Sequence, residues 1–243
     1  MAHQYAIPTL EHVAVGDTVT LTGAEAKHAA TVSRVRIGEA IRVANGRGLL
    51  VRGEVTSATP SEVAILAQEV TELAPNRPEL WLVQALAKGD RDELAVQAAT
   101  ELGVDRVIPW AAARSVSRWD AAKAAKGRAR WQSIVDEAAK QSLRAWTPEV
   151  TELHTTAQLA ALAAATRMVV CVPNGEHPLG DMAVGDGPIC LVVGPEGGIE
   201  PAEITTLSDA GAQTVRLGTE VLRTSTAGPA AIAVLANALG RWA

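Results

Sequence analysis

The chain contains no phenylalanine and one tyrosine, so aromatic residues make up only 3% of its 243 positions despite six tryptophans. A hydrophobic core must then come mainly from Val, Leu, Ile and Ala, and the 48% hydrophobic content is enough to build one. Cysteine is almost as scarce. Cys171 and Cys190 each sit in a short β-branched run, MVVCVP and PICLVV, where a thiol behaves as a small hydrophobe, and there is no CxxC pair to suggest redox or metal chemistry. No apolar run approaches the roughly 18 residues that span a bilayer, and no signal-peptide pattern opens the chain, so the expectation is a cytoplasmic protein with no membrane partner. The phosphate-cradling G-x-x-x-x-G-K-[ST], a G-x-G-x-x-G after a strand, and G-x-S-x-G are all missing, which removes the best signatures of P-loop, dinucleotide and hydrolase sites. The five histidines (His3, His12, His28, His154 and His177) are scattered without an i, i+4 pair or a cysteine partner, and no metal is expected.

Charge is modest in total and uneven in place. The net charge of −5 argues against a polyanion partner, yet Lys27, Arg34, Arg36, Arg42, Arg47 and Arg52 crowd Ala24 to Arg52 against only Glu25 and Glu39. A second basic stretch runs from Arg114 to Arg144, including Arg118, Arg128 and Arg130, and the remainder of the chain is acidic. Clustered cations on an otherwise acidic chain suit a nucleic-acid-binding face, because each neutralised phosphate releases counterions. The competing reading is a helix with a solvated basic face.

The first seventy residues read as short alternating strands. Asn45-Gly46, within IRVANGRGLLVRGEV, has the residues of a tight hairpin turn, so a small β-barrel or sandwich is expected. TELAPNRPEL, Thr71 to Leu80, has two prolines and no periodicity and marks a domain boundary. Beyond it strands and helices alternate. LWLVQALAK is a buried-type strand, and Asp90 with Glu93 predicts a capping box opening a helix through Leu102. A long helix follows from about Asp120 to Leu143, and TTAQLAALAAA, PAEITTLSDAG and a terminal segment from about Thr226 to Arg241 supply others. Continuous apolar strands between helices imply an α/β unit with a parallel sheet covered on both faces.

In such sheets ligands bind beyond the carboxyl ends of the strands. The loops there are Pro173 to Gly175, the glycine-rich Gly194-Pro195-Glu196-Gly197-Gly198, and Gly218 through Ala227, whose glycines let backbone approach a ligand closely. GPEGG after a hydrophobic strand, followed by LGTEVLRTSTAGPAA, resembles the hallmark pair of the RsmE type of 16S rRNA uracil-N3 methyltransferases in the SPOUT superfamily. TELGVDRVIP, AAKQSLR and KHAATVSRVRIGE extend the likeness across nearly the whole chain.

The resemblance implies a PUA-like RNA-binding β-barrel over 1–72 and a SPOUT methyltransferase domain with a deep trefoil knot over 78–243. It also implies a homodimer acting on 16S rRNA of the small ribosomal subunit, with S-adenosyl-L-methionine bound in the knot. The cofactor would be held by Gly194, Pro195, Glu196, Gly197, Gly198, Leu217, Gly218, Leu222, Arg223, Thr224, Ser225, Thr226 and Ala227. Lys27, Arg34, Arg36, Arg114, Arg118, Arg128 and Arg130 are the candidate RNA contacts. Methylating N3 of a uridine requires loss of a weakly acidic imide proton, so Arg223 and Arg144 are assigned to stabilise the uracil anion or a flanking phosphate, and Glu101 to orient or accept the proton. Glu196 is assigned to the scaffold of its loop. The chain departs from the family pattern at Ser225 and Lys140, each standing where the pattern has Glu. An RNA-binding protein without catalysis, and a related knotted enzyme acting on transfer RNA or a ribose hydroxyl, are the alternatives.

Overall fold

The computed structural model describes residues 3–182 and 185–242. The chain divides into two compact units, the first made of Met1–Pro75 with Ala139–Thr147, the second of Asn76–Ala138 with Pro148–Ala243.

In the first unit, strands β1 (Gln4–Ala6), β2 (Thr18–Thr22), β3 (Ala40–Ala44), β4 (Leu49–Ala58) and β5 (Glu62–Glu72) form one sheet in the order β1-β3-β4-β5-β2. It is antiparallel except for β1 against β3, and two register shifts along β4 and β5 let it curl as a half-barrel. Alternation along the strands sends Val19, Leu21, Ile41, Val43, Val51, Val55, Val63 and Ile65 to a common core. One segment differs from the all-strand expectation. Gly23–Lys27 is helix α1, continuing as a π-helical turn over His28–Ser33 that ends at Arg34 in the left-handed region. The alanine-rich AEAKHAA favours helix, and Ala26 and Ala29, one turn apart, are both buried against the barrel core. The β3–β4 hairpin is also looser than a two-residue turn. Asn45 Oδ1 accepts the amides of Arg47 and Leu49 at 2.7 and 3.1 Å, and Gly46 and Gly48 take positive φ.

Ala139–Thr147 belongs to this unit because the hairpin tip pairs with it. The Gly48 amide donates to Ala145 O at 3.0 Å, and the Thr147 amide donates to Gly46 O at 3.1 Å. Gln4 Nε2 donates to Arg144 O at 2.8 Å, and Lys140 Nζ meets Glu25 Oε1 at 3.0 Å. The lysine that departs from the family pattern is thus half of an ion pair with the barrel.

In the second unit seven parallel strands are ordered β10-β12-β9-β11-β6-β7-β8: β6 (Leu80–Ala85), β7 (Arg106–Trp110), β8 (Glu149–Val150), β9 (Arg167–Cys171), β10 (His177–Pro178), β11 (Ile189–Val193) and β12 (Gln213–Arg216). The period of two in a strand divides the apolar runs between two cores. Leu80, Leu82, Val107, Val169, Leu191 and Val193 face one side with Val96 and Ala99 of α2 (Arg91–Glu101), Trp131 and Val135 of α3 (Ala121–Gln141), and Ile232 and Leu235 of α6 (Thr224–Ala238). Trp81, Val83, Ile108, Val170, Cys190 and Val192 face the other with Leu159 of α4 (Thr156–Ala163) and Leu207 of α5 (Pro201–Asp209). Both faces are covered, which is why these strands read as continuous apolar runs.

After β12, toward one edge, the chain returns to lay α6 against β11, β6 and α2. Gly228 permits that approach: a Cβ there would stand 2.9 Å from Leu82 Cδ1. The predicted capping box at Asp90 does not form. Asp90 makes no side-chain cap, because Glu93 is drawn away to Arg130 on α3, while Asp92 Oδ2 takes the Ala87 amide at 2.9 Å. A box does form at α4, from Thr155 and Gln158.

Candidate functional site

Beyond the carboxyl ends of β9 and β11 lies a cavity of about 430 Å³, within the range of small-molecule sites. Three chain segments enclose it: Cys171–Pro173 after β9, Val193–Ile199 after β11, and Val221–Thr224 with Ala227 at the start of α6, with Arg91 at the rim. Of the residues expected around a cofactor, Gly194, Pro195, Glu196, Gly198, Leu222, Arg223, Thr224 and Ala227 line it. Gly197, Leu217, Gly218, Ser225 and Thr226 are their chain neighbours and do not.

A buried relay ties the walls together. Gln84, in the middle of the sheet on β6, donates from Nε2 to Thr224 Oγ1 at 2.9 Å, and Thr224 Oγ1 donates to Gly194 O at 2.8 Å. Sequence reasoning missed Gln84, although a lone amide inside LWLVQALA was a signal, because a buried polar group must find partners. Ile199 closes the floor so tightly that a Cβ on Gly194 would lie 2.5 Å from Ile199 Cγ1.

The glycine-rich loop is clamped from both sides. Glu196 Oε1 accepts the Lys88 amide at 2.9 Å and Arg91 Nη1 at 2.7 Å. Burial alone would raise the Glu196 pKa, but its own amide, the Arg91 guanidinium and the Lys88 amide outweigh that and hold it below the ordinary glutamate value. Across the loop, Arg114 donates to Glu200 Oε2 at 2.6 Å and to Gly197 O at 3.2 Å. Behind it the buried Glu203 accepts the Ala113 amide at 3.0 Å, Thr156 Oγ1 at 2.7 Å and the Glu200 amide at 3.3 Å.

The segment Leu217–Leu222 is the opposite. Among the described residues its main chain makes no backbone–backbone hydrogen bond and its side chains make none, and Val221 is 76% exposed. At Val221 and Leu222, which line the cavity, polar backbone unused by the fold suits recognition of a small ligand through main-chain groups. Burial pushes the Cys171 thiol up to about 12, so at neutral pH it is a protonated wall group and no nucleophile.

The remaining expected residues are placed less uniformly. Arg223 is exposed at the N-cap of α6 on the cavity wall. Glu101 ends α2 away from the cavity lining and accepts Gln97 Nε2 at 3.1 Å. Arg144 is part of the first unit, its carbonyl held by Gln4. The basic residues of the second unit are engaged within it: Arg114 on the loop, Arg118 on Ala113 O, Arg128 on Val150 O and Glu152, and Arg130 on Glu93. Lys27, Arg34 and Arg36 in the first unit are exposed, with no side-chain partner among the described residues.

The chain that carries this parallel sheet, its glycine-bounded cavity and a curled β unit belongs to the RNA methyltransferases by its family matches. The family model of the RNA methyltransferase domain matches residues 74–236, and that of the RNA methyltransferase PUA domain matches 21–67. Within that class, the chain belongs to the ribosomal RNA small subunit methyltransferase E family. It is 40% identical over 233 residues to the member from Mycobacterium bovis, covering 93% of this chain and 89% of the relative, and 33% identical over 240 residues to the one from Bacillus subtilis, covering 90% of each. A crystal structure of ribosomal RNA small subunit methyltransferase E from Neisseria gonorrhoeae, bound to S-adenosyl methionine, superposes with a TM-score of 0.86 at 31% identity over 98% of both chains. The fold is accordingly an α/β methyltransferase domain with a parallel sheet, carrying a PUA-like N-terminal unit. No helix among the described residues is long and apolar enough to cross a membrane.

Proposed function

We propose that the chain transfers the methyl group of S-adenosyl-L-methionine to N3 of one specific uridine in 16S rRNA of the small ribosomal subunit, as a cytoplasmic homodimer that needs no metal. The observation that carries the cofactor assignment is the pairing of a clamped glycine loop with the unpaired main chain of Val221 and Leu222 around one 430 Å³ cavity. Gly194 to Gly198, Leu217, Gly218 and Leu222 to Ala227 would hold the cofactor chiefly by backbone. When bound it supplies an electrophilic methyl group on a sulfonium centre.

The chain's own residues must then orient the uracil and manage its imide proton. Among the described residues Glu196 is the one carboxylate on the cavity wall, and with two donors on Oε1 and a depressed pKa it is a poor proton acceptor. Arg223 is the better candidate for the decisive role: a guanidinium beside the pocket stabilises the uracil anion and so makes the imide proton easier to lose to solvent. Arg144 is assigned to a phosphate flanking the target, and Glu101 to a supporting role at its helix end. Lys27, Arg34 and Arg36 are assigned to the RNA backbone. Arg114, Arg118, Arg128 and Arg130 are kept as secondary contacts, since each already has an intramolecular partner.

The test is methyl transfer from labelled S-adenosyl-L-methionine to unmodified small subunits, followed by nucleoside analysis. Label in 3-methyluridine is expected, and label in any other nucleoside overturns the regiochemistry. Arg223→Ala should lower turnover at least about tenfold with cofactor affinity kept, and unchanged turnover removes Arg223 from the mechanism.

A further inference from the structure

The first unit has a cavity of its own, about 630 Å³, between the β3–β4 hairpin tip and the segment Ala139–Thr147. Trp146 stands in its wall, and several contacts fix the indole there. Backbone pairing on either side, Gly48 with Ala145 and Thr147 with Gly46, sets the segment in register, so Arg47 and Trp146 are directly opposed as an isolated antiparallel bridge. Trp146 Nε1 donates to Leu73 O at 2.8 Å. A Cβ on Gly48 would come within 2.9 Å of the ring, so only glycine lets the hairpin pass beneath it.

The charged groups around this ring are few and mixed. Arg47 is exposed and has no ion pair among the described residues, and its guanidinium does not stack on the indole. Glu11 and Glu72 also line the groove. One free guanidinium, two carboxylates and a half-buried indole do not make a phosphate track, which needs a row of cations. They match a single nucleotide unit: a flat apolar surface for a base, one cation for one phosphate, and acceptors for ribose hydroxyl or base amino donors.

We propose that this groove is a subsite for one unpaired nucleotide of the RNA, its base stacked on Trp146 and its phosphate on Arg47. The proposal rests on the reading of the chain as an RNA methyltransferase acting on structured rRNA, and adds to it a point of contact on the first unit that selects targets carrying a looped-out residue. Anchoring through a stacked base tolerates sequence but not pairing, since a base within a duplex offers no free face.

The full chain is titrated with a fluorescent single-stranded oligouridine, without cofactor, at several salt concentrations. Trp146→Ala should weaken binding about tenfold or more, the range of a lost base–aromatic stack, while Trp146→Phe should stay within about threefold. Arg47→Ala should weaken binding several-fold and lower the slope of log affinity against log salt by about one. Because Trp146→Ala removes a packed ring, thermal unfolding is measured alongside; if that variant fails to fold, the Trp146→Phe and Arg47→Ala results decide. Wild-type affinity and slope in both Trp146→Ala and Arg47→Ala, with normal melting, overturns the groove. So does a Trp146 cross-link to ribosomal protein instead of RNA. Methyl transfer to small subunits is assayed on the same preparations: its persistence in the wild type while oligouridine binding ignores Trp146 removes the groove alone, whereas its absence in the wild type removes the enzymatic reading itself.

Discussion

The two loops that border the cavity beyond β9 and β11 are built on opposite principles. Val193–Ile199 is fastened by side chains reaching in from two directions, Arg91 and the Lys88 amide onto Glu196, Arg114 onto Gly197 and Glu200. Leu217–Leu222 makes no hydrogen bond among the described residues and is anchored only at its start, where Leu217 packs against the core. A clamped loop presents its backbone in one conformation before any ligand arrives, so it costs little ordering entropy on binding. A loop without such fastening is ordered by the ligand, and that ordering costs affinity. If that division holds, changes in the first loop should damage stability and cofactor binding together, and changes in the second should leave stability alone.

The largest expected effect lies behind the clamp. Glu203→Ala strips three donors of their shared buried acceptor, and leaving such groups unsatisfied should cost about 2–4 kcal/mol in chemical denaturation. Glu203→Gln, which keeps an acceptor oxygen, should recover part of it. Next comes Gly194→Ala. Its added methyl meets Ile199 at 2.5 Å, an overpacking worth about 1–3 kcal/mol, and the displaced wall should weaken cofactor binding at least about tenfold by calorimetric titration. Tight cofactor binding in that variant would mean the floor of the cavity is not part of the ligand site.

How these loops divide their roles could be read from the sequence only in part. GPEGG and LGTEVLR announced themselves by glycine content and by position after strands, and the alternation of apolar runs with helices gave the parallel sheet. The partners were invisible because they lie far apart in the chain, 86 positions for Arg114 and Glu200 and 37 for Arg130 and Glu93: each arginine looked like a phosphate contact until its carboxylate appeared opposite it. A basic residue's partner is a tertiary fact that no local window contains. The same holds at Asp90, where a good local capping pattern lost to the distant pull of Arg130 on Glu93. The helical turn at Gly23–Ser33 was missed for a different reason, since strands on both sides drew a short alanine-rich segment into the wrong period. Trp146, in an irregular segment, offered no periodicity to interpret.

Arg114→Ala and Val221→Ala set the two loops against each other at smaller scale. The Arg114–Glu200 pair is nearly half exposed, so its loss should lower stability by under about 1 kcal/mol. Even so, releasing the Gly197 carbonyl should raise the cofactor Kd a few-fold. Val221→Ala should leave stability within about 0.5 kcal/mol and act, if anywhere, on turnover. Equal effects of the two variants on melting would erase the distinction between the loops.

The finest test is the pH dependence of the Glu196 clamp. Burial would raise the Glu196 pKa, but hydrogen bonds from its own amide, Arg91 and the Lys88 amide, with the Arg91 charge, bring it below the ordinary 4.5. A carboxylate whose folded pKa is depressed contributes stability that is complete above its unfolded value and is lost as pH falls through the folded one. The difference in Tm between wild type and Glu196→Gln should therefore stay constant from neutral pH down to about 5 and close only below 4.5. Because the Arg91 and Glu196 side chains are 40% and 26% exposed, solvent screens the pair and the gap should be small, and smaller still in high salt. Placing Arg91→Ala under both backgrounds should shrink the pH-dependent part, because the guanidinium is one of its causes. On the free loop, Glu220 is exposed with no side-chain partner among the described residues, and Glu220→Gln should leave Tm unchanged at neutral pH. A pH-dependent gap at Glu196 with none at Glu220 would place the electrostatic fastening on one wall of the cavity, and equal gaps at both would show that the second loop is held in solution by contacts of its own.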